Sequence, residues 1–160
     1  MGRIGVALTL SGAAALLSGC VFEPVACPAV GQVAGVSVTV AADYANQVGS
    51  LRLKACQYDA CTEKNVMLNP GAVTADESCT PDGVCSARSS PDGTLQGFLE
   101  LPAISESPLE VTVTGTSPSG VVLPVRTVEF TPQGRYPFGE QCGRFISAGV
   151  LLDATGLRQR

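Results

Sequence analysis

Leu109-Glu110-Val111-Thr112-Val113-Thr114 alternates an aliphatic side chain with a polar one at every step. A strand turns successive side chains to opposite faces. Leu109, Val111 and Val113 therefore share one face, and Glu110, Thr112 and Thr114 share the other. A segment divided in this way buries one side only, as strands of antiparallel sheets do.

The same period of two recurs along the chain. Val36, Val38 and Val40 alternate with Ser37 and Thr39, and Leu51, Leu53 and Ala55 with Arg52 and Lys54. Residues 62–68 read as a return strand opposite 51–55. Leu95, Leu99 and Leu101 share one parity with Gly97 between them, and Ala148, Val150, Leu152 and Ala154 repeat the pattern near the end. Residues 121–130 are strand-like, but Pro124 demotes their first half to an edge or a bulge.

Turn residues divide these segments. Pro81-Asp82-Gly83 and Pro91-Asp92-Gly93 recur ten residues apart, and Asn69-Pro70-Gly71, Ser117-Pro118-Ser119-Gly120 and Pro132-Gln133-Gly134 mark further reversals. No segment after the first twenty residues sustains a period of 3.6. The sequence thus predicts an all-β domain: a two-sheet antiparallel β-sandwich of about seven strands over residues 33–158. Residues 66–90, rich in Pro, Gly, Ser and acids, are expected to form a long loop braced by a disulfide.

The N-terminus reads differently. Arg3 precedes an apolar run from Ile4 to Leu17, too short to span a bilayer but suited to a signal-peptide helix. Leu17-Ser18-Gly19-Cys20 then resembles the lipobox of bacterial lipoproteins. In that reading residues 1–19 are a signal peptide, and Leu17, Ser18 and Gly19 are recognised by the signal peptidase. The Cys20 thiol accepts the lipid and becomes the new N-terminus. Residues 20–32 form the lipidated terminus and tether. The implied partner is the membrane, through an anchor whose acyl chains each add about 0.8 kcal/mol per buried methylene.

Six cysteines follow: Cys27, Cys56, Cys61, Cys79, Cys85 and Cys142. An even number in an exported chain reads as a disulfide framework, with fifteen possible connectivities. Spacing suggests Cys56–Cys61 across a tight hairpin, Cys79–Cys85 closing a turn, and Cys27–Cys142 tying the start of the domain to its last hairpin. The long loop closed by the last pair is worth about 4–5 kcal/mol in the loop-entropy model. The alternative, zinc on two cysteine pairs, suits neither the spacing nor an oxidising compartment.

Composition narrows the function. The 160 residues contain no His and no Trp, with ten Lys+Arg against fourteen Asp+Glu. Lack of His removes the Ser-His-Asp triad and imidazole metal sites. The acidic surplus leaves no footprint for nucleic acid. Asp76 with Glu77, and Glu100, Glu106 and Glu110, are the candidate carboxylates of a hydrolase, but aromatic sugar platforms are few, and solvated surface acids are the simpler reading. Ser50 precedes Lys54 by four positions, not by the three of the Ser-x-x-Lys pattern. Asp82 and Asp92 have turn chemistry as sufficient reason and do not make a calcium loop. No metal or other cofactor is expected. The closed loop at Thr80 to Val84, followed by Arg88, is a candidate rigid epitope, whereas Tyr44, Tyr58 and Tyr136 are scattered.

The lipobox, the valine-rich first strand, the Cys56/Cys61 hairpin and Tyr136-Pro137-Phe138-Gly139-Glu140-Gln141-Cys142-Gly143 together resemble small secreted lipoproteins of high-GC Gram-positive bacteria. The resemblance implies an immunoglobulin-like sandwich and transfers no catalytic residue. The expected function is a non-catalytic binding or accessory module, lipid-anchored on the extracytoplasmic face of the cell membrane, with an envelope protein as partner. The alternative is a small envelope hydrolase using carboxylates or a Ser nucleophile. A transporter's substrate-binding lipoprotein would need two lobes, for which the chain is short.

Overall fold

The computed structural model describes residues 26–29 and 31–160; Leu17, Ser18, Gly19, Cys20 and the expected signal-peptide helix lie outside them. In chain order the elements are β1 (Gly35–Val40), α1 (Ala42–Ala45), β2 (Ser50–Gln57), β3 (Ala60–Val66), β4 (Asn69–Cys79) and β5 (Cys85–Glu100). They continue with β6 (Leu109–Thr116), β7 (Arg126–Phe130), β8 (Gly134–Arg135), a 3-10 turn at Glu140–Cys142, β9 (Phe145–Ile146), β10 (Ala148–Asp153) and β11 (Gly156–Gln159).

Two sheets face each other. One has the order β11-β10-β1-β5-β4, the other β3-β2-β6-β7, and β8-β9 is a separate small ribbon. The alternation read from the sequence fixes which faces meet. Val36, Val38, Val40, Leu99, Val150 and Leu152 come from the first sheet, and Leu51, Leu53, Leu109, Val111 and Val113 from the second. All are buried, while Ser37, Arg52, Lys54 and Glu110 on the outer faces are exposed. Burying such a side chain contributes about 1.5–3 kcal/mol, so this shared layer is what holds the sheets together.

Gly97 in β5 lies under side chains from both sheets. A Cβ there would lie 3.1 Å from both Val38 Cγ1 and Val66 Cγ2, and 3.2 Å from Leu68 Cδ2. The end of β3 and the chain after it thus tuck over β5 in space that only glycine leaves. Thr39 points away from the core yet is buried, because Arg160 lies over it and donates from Nη1 to Thr39 Oγ1 at 2.7 Å.

The architecture corrects four expectations. The described residues contain eleven strands rather than about seven, the additions being β4, β8, β9 and β11. The sandwich is not wholly antiparallel, since β1 pairs with β10 in parallel, Val38 opposite Val150. Such pairing needs a connection of about a dozen residues or more; here residues 41–147 lie between the two strands, and the chain reaches β10 from β7 of the other sheet through residues 131–147. Residues 66–90 are not a loop: β4 and β5 run through them as an antiparallel hairpin. Finally, Pro91-Asp92-Gly93 is not a reversal but a bulge within β5, where the register shifts between Pro70 and Ala72.

Registers define two ends. Gly35 pairs with Glu100, and Leu109 with both Gln57 and Phe130, and residues 101–108 join the two sheets there. The N-terminal segment enters at this end, where Leu101 N–H donates to the Ala34 carbonyl at 3.0 Å. Val40, Ser50, Thr116 and Asp153 mark the opposite end.

Candidate functional site

At the end opposite the chain's entry, β4 and β5 continue beyond Val40–Leu95, the last pair that β1 makes with β5. They leave the sandwich as a two-stranded arm, Ala72–Cys79 against Cys85–Pro91. Eight residues in one strand and seven in the other, at ~3.3 Å each, give the arm a length of about 25 Å. Every residue from Ala72 to Pro91 is exposed except Ala75, which is half-buried.

Three local devices hold an arm that has no core. Its base is the β5 bulge, where Gly93 adopts φ +80° and Asp92 Oδ1 accepts from Thr94 N–H at 2.9 Å and Thr94 Oγ1 at 2.7 Å. Gly71 lies against this bulge; a Cβ there would sit 1.9 Å from Thr94 Oγ1. Midway, Asp76 and Glu77 together oppose Ala87, with Asp76 at φ +53°, a second bulge that increases the twist. At the tip, Cys79 is bonded to Cys85 and Thr80 N–H donates to the Val84 carbonyl at 2.9 Å. Gly83 supplies the positive φ, +81°, that closes the turn. Val73 and Val84 are exposed aliphatic side chains on this arm, and Arg88 follows the tip.

The entry end is fixed by Cys27–Cys142, which fastens the segment before β1 to the 3-10 turn between β8 and β9. Glu106 braces the same region, accepting from Gly134 N–H at 2.7 Å and from Arg144 Nη2 at 2.5 Å. The remaining pair, Cys56–Cys61, crosses the β2–β3 hairpin. These are the three pairs that spacing suggested. All six sulfurs are oxidised, so none is a thiolate for zinc.

Beside that hairpin the surface carries an apolar cleft of about 300 Å³, lined chiefly by Ala55, Tyr58, Ala60, Leu101, Ile104 and Leu109. Its far wall is fastened to β2 by Gln57. Gln57 Nε2 donates to the Ser105 and Ser107 carbonyls at 3.0 and 2.8 Å, and its Oε1 accepts from Ser105 N–H and Oγ, both at 2.9 Å. Tyr58 is 78% exposed with φ +54°, and its hydroxyl contacts Ser107 Oγ. On the other side of Tyr58 is a shallow hollow lined by Cys56, Pro108, Glu110 and Glu129. Glu110 and Glu129 are directly opposed across β6 and β7.

The candidate catalytic groups are not brought together. Asp76 and Glu77 stand on the exposed bulge of the arm, apart from Glu100, Glu106 and Glu110 near the entry end. Ser50 Oγ bonds Thr116 Oγ1 at 2.8 Å, and Lys54, four residues along the same outer face, is roughly 13 Å away, beyond proton-transfer reach. Asp82 is at the arm's tip and Asp92 at its base. Among the described residues no group of three or more His, Cys, Asp or Glu could hold a metal ion. Tyr44 is buried, and Tyr136 is exposed near the disulfide at Cys142.

Sequence reading missed the surroundings of Tyr58. The available signal was its place as the first central residue of a two-residue hairpin loop, between the paired Gln57 and Ala60, where glycine is the expected residue. No protein-family model, curated protein or solved structure matches this chain.

Proposed function

We propose that this chain is a non-catalytic binding or accessory module of the cell envelope, held to the extracytoplasmic face of the membrane by a lipid on Cys20. The lipobox motivates the anchor, and three disulfides suit an oxidising compartment. The observation that carries the reading is the opposition of the two ends. The chain enters the sandwich beside Cys27–Cys142, and the arm leaves from the other end.

With about six residues between Cys20 and Cys27, the tether reaches about 20 Å. The entry end then faces the bilayer and the arm extends away from it, as the contact element for a protein partner. Its pre-braced tip loses little entropy on binding.

The finer fold identity belongs to the same proposal. An immunoglobulin constant-type sandwich orders its strands 1-2-5-4 over 3-6-7. Here β11-β10-β1-β5-β4 faces β3-β2-β6-β7, with β10 and β11 added beside β1. That order supports an immunoglobulin-like sandwich whose second strand has moved to the other sheet.

Two measurements test the function. Mass spectrometry of the mature N-terminus should find a diacylglyceryl group on Cys20; an unmodified Cys20 bonded to another cysteine overturns the anchor. A photo-crosslinker at Ser89 on the arm should capture an envelope protein in intact cells, whereas one at Ser37, exposed on the outer face of the β1-containing sheet, should not. Equal labelling from both positions overturns the arm's role.

A further inference from the structure

Two local rules are broken within one patch at the entry end. A bulky L-residue is disfavoured at positive φ, yet Tyr58 occupies it at +54° while the residue is 78% exposed. Like charges directly opposite on neighbouring strands repel, yet Glu110 faces Glu129. On that outer face Lys54 stands in register with Glu63, whose carboxylate pairs with Arg52, and among the described residues neither Glu110 nor Glu129 forms an ion pair. Neither arrangement serves the core: Tyr58 lines the apolar cleft, and the two glutamates line the hollow on its other side.

We propose that the cleft beside Tyr58 is a docking site for a basic, aliphatic peptide segment of a partner protein. The aliphatic side chain enters the space between Ala60, Leu101 and Ile104, and a Lys or Arg beside it reaches across Tyr58 to Glu110 and Glu129. Charge complementarity selects this occupant: the apolar volume is flanked by two facing carboxylates, with Asp59 adjoining Tyr58 in the same turn. A guanidinium can bridge carboxylates and stack on a tyrosine ring at once. The volume, about 300 Å³, suits one or two side chains rather than a larger ligand. Gln57 fixes the wall in advance, so binding orders little of the protein. This site does not depend on the lipid at Cys20, and an unmodified Cys20 would leave it standing.

The test is NMR titration of the full-length protein with the peptide Ac-Gly-Arg-Leu-Arg-Gly-amide. It should bind at least about tenfold more tightly than the same peptide with Glu for Arg, or with Gly for Leu, a difference of 1.4 kcal/mol. E110Q/E129Q should lose that preference for Arg while keeping the fold. Tyr58→Gly should melt at a higher temperature than the parent and bind at least about tenfold more weakly. Equal binding of the three peptides overturns the proposal, as does undiminished binding by Tyr58→Gly. Displacement of the peptide by phosphatidylcholine vesicles would assign the cleft to lipid and overturn it as well.

Discussion

Asp92 holds Thr94 by two hydrogen bonds to one carboxylate oxygen, from the Thr94 backbone N–H and from its hydroxyl. The Thr94 side chain, and then its backbone, draw the Asp92 pKa below the usual carboxylate value. The carboxylate is thus a structural acceptor: it shapes the bulge at which the arm departs from the sandwich. Asp92→Ala should leave the core packed but loosen the arm. Amide hydrogen exchange should quicken over Ala72–Pro91 and stay unchanged at Val38 and Val111. Equal quickening across both regions would mean that the arm and the core open together.

Gly97 gives a sharper test of how the sheets meet. A side chain there must displace Val38, Val66 or Leu68. Gly97→Val should cost about 1–3 kcal/mol through overpacking, measured by denaturant titration. Truncating Leu68 to Ala in that background should recover part of the loss, because one of the crowding side chains is then gone.

The Cys27–Cys142 bond closes the longest loop, 115 residues apart in sequence. The loop-entropy model assigns about 4–5 kcal/mol to a loop of that size. Yet Ala26–Ala29 are exposed, and the bond itself is the main thing that orders them. Breaking it frees that segment in the folded protein as well as in the unfolded one. We therefore expect C27S/C142S to lose about 1–3 kcal/mol, within the range for such bonds. Proteolysis before Gly35 should become fast while the sandwich stays resistant.

Period-two alternation makes the core legible in the sequence alone. Leu109, Val111, Val113, Val36, Val38 and Val40 fall on the buried faces because a strand leaves no other choice once one side is apolar. The arm was illegible for the complementary reason. Between Ala72 and Pro91 both faces meet water, so no alternation marks the strands, and backbone pairing with a terminal disulfide does the holding. The two Pro-Asp-Gly segments show the limit of turn chemistry. One closes the tip and the other makes a bulge, and the difference lies in the partner strand, not in the residues themselves. The parallel pairing of β1 with β10 depends on where a crossover returns, which local sequence does not encode. The site beside Tyr58 is likewise assembled from β2, β3, the 101–108 segment, β6 and β7, so a count of tyrosines could not disclose it.

Asp153 sets the acid response of the last hairpin. Its carboxylate accepts from the Thr155 hydroxyl, from Thr155 N–H at 2.8 Å and Gly156 N–H at 3.0 Å, and it pairs with Arg158. The Thr155 hydroxyl is the largest influence, Arg158 and the backbone donors add to it, and desolvation opposes them; together they lower the pKa from 3.8 to about 2. A carboxyl whose folded pKa is depressed favours the folded state when ionised. That contribution is complete above the unfolded value of 3.8 and is lost as the pH falls through about 2. The β10–β11 hairpin should accordingly hold at pH 5 and weaken between pH 4 and 2, seen as faster exchange at Leu157 and Arg158 and a falling melting temperature. Asp153→Asn should melt lower than the parent at pH 5, with the gap closing toward pH 2. A gap of constant size across that range would show that the carboxylate's charge contributes nothing to the turn.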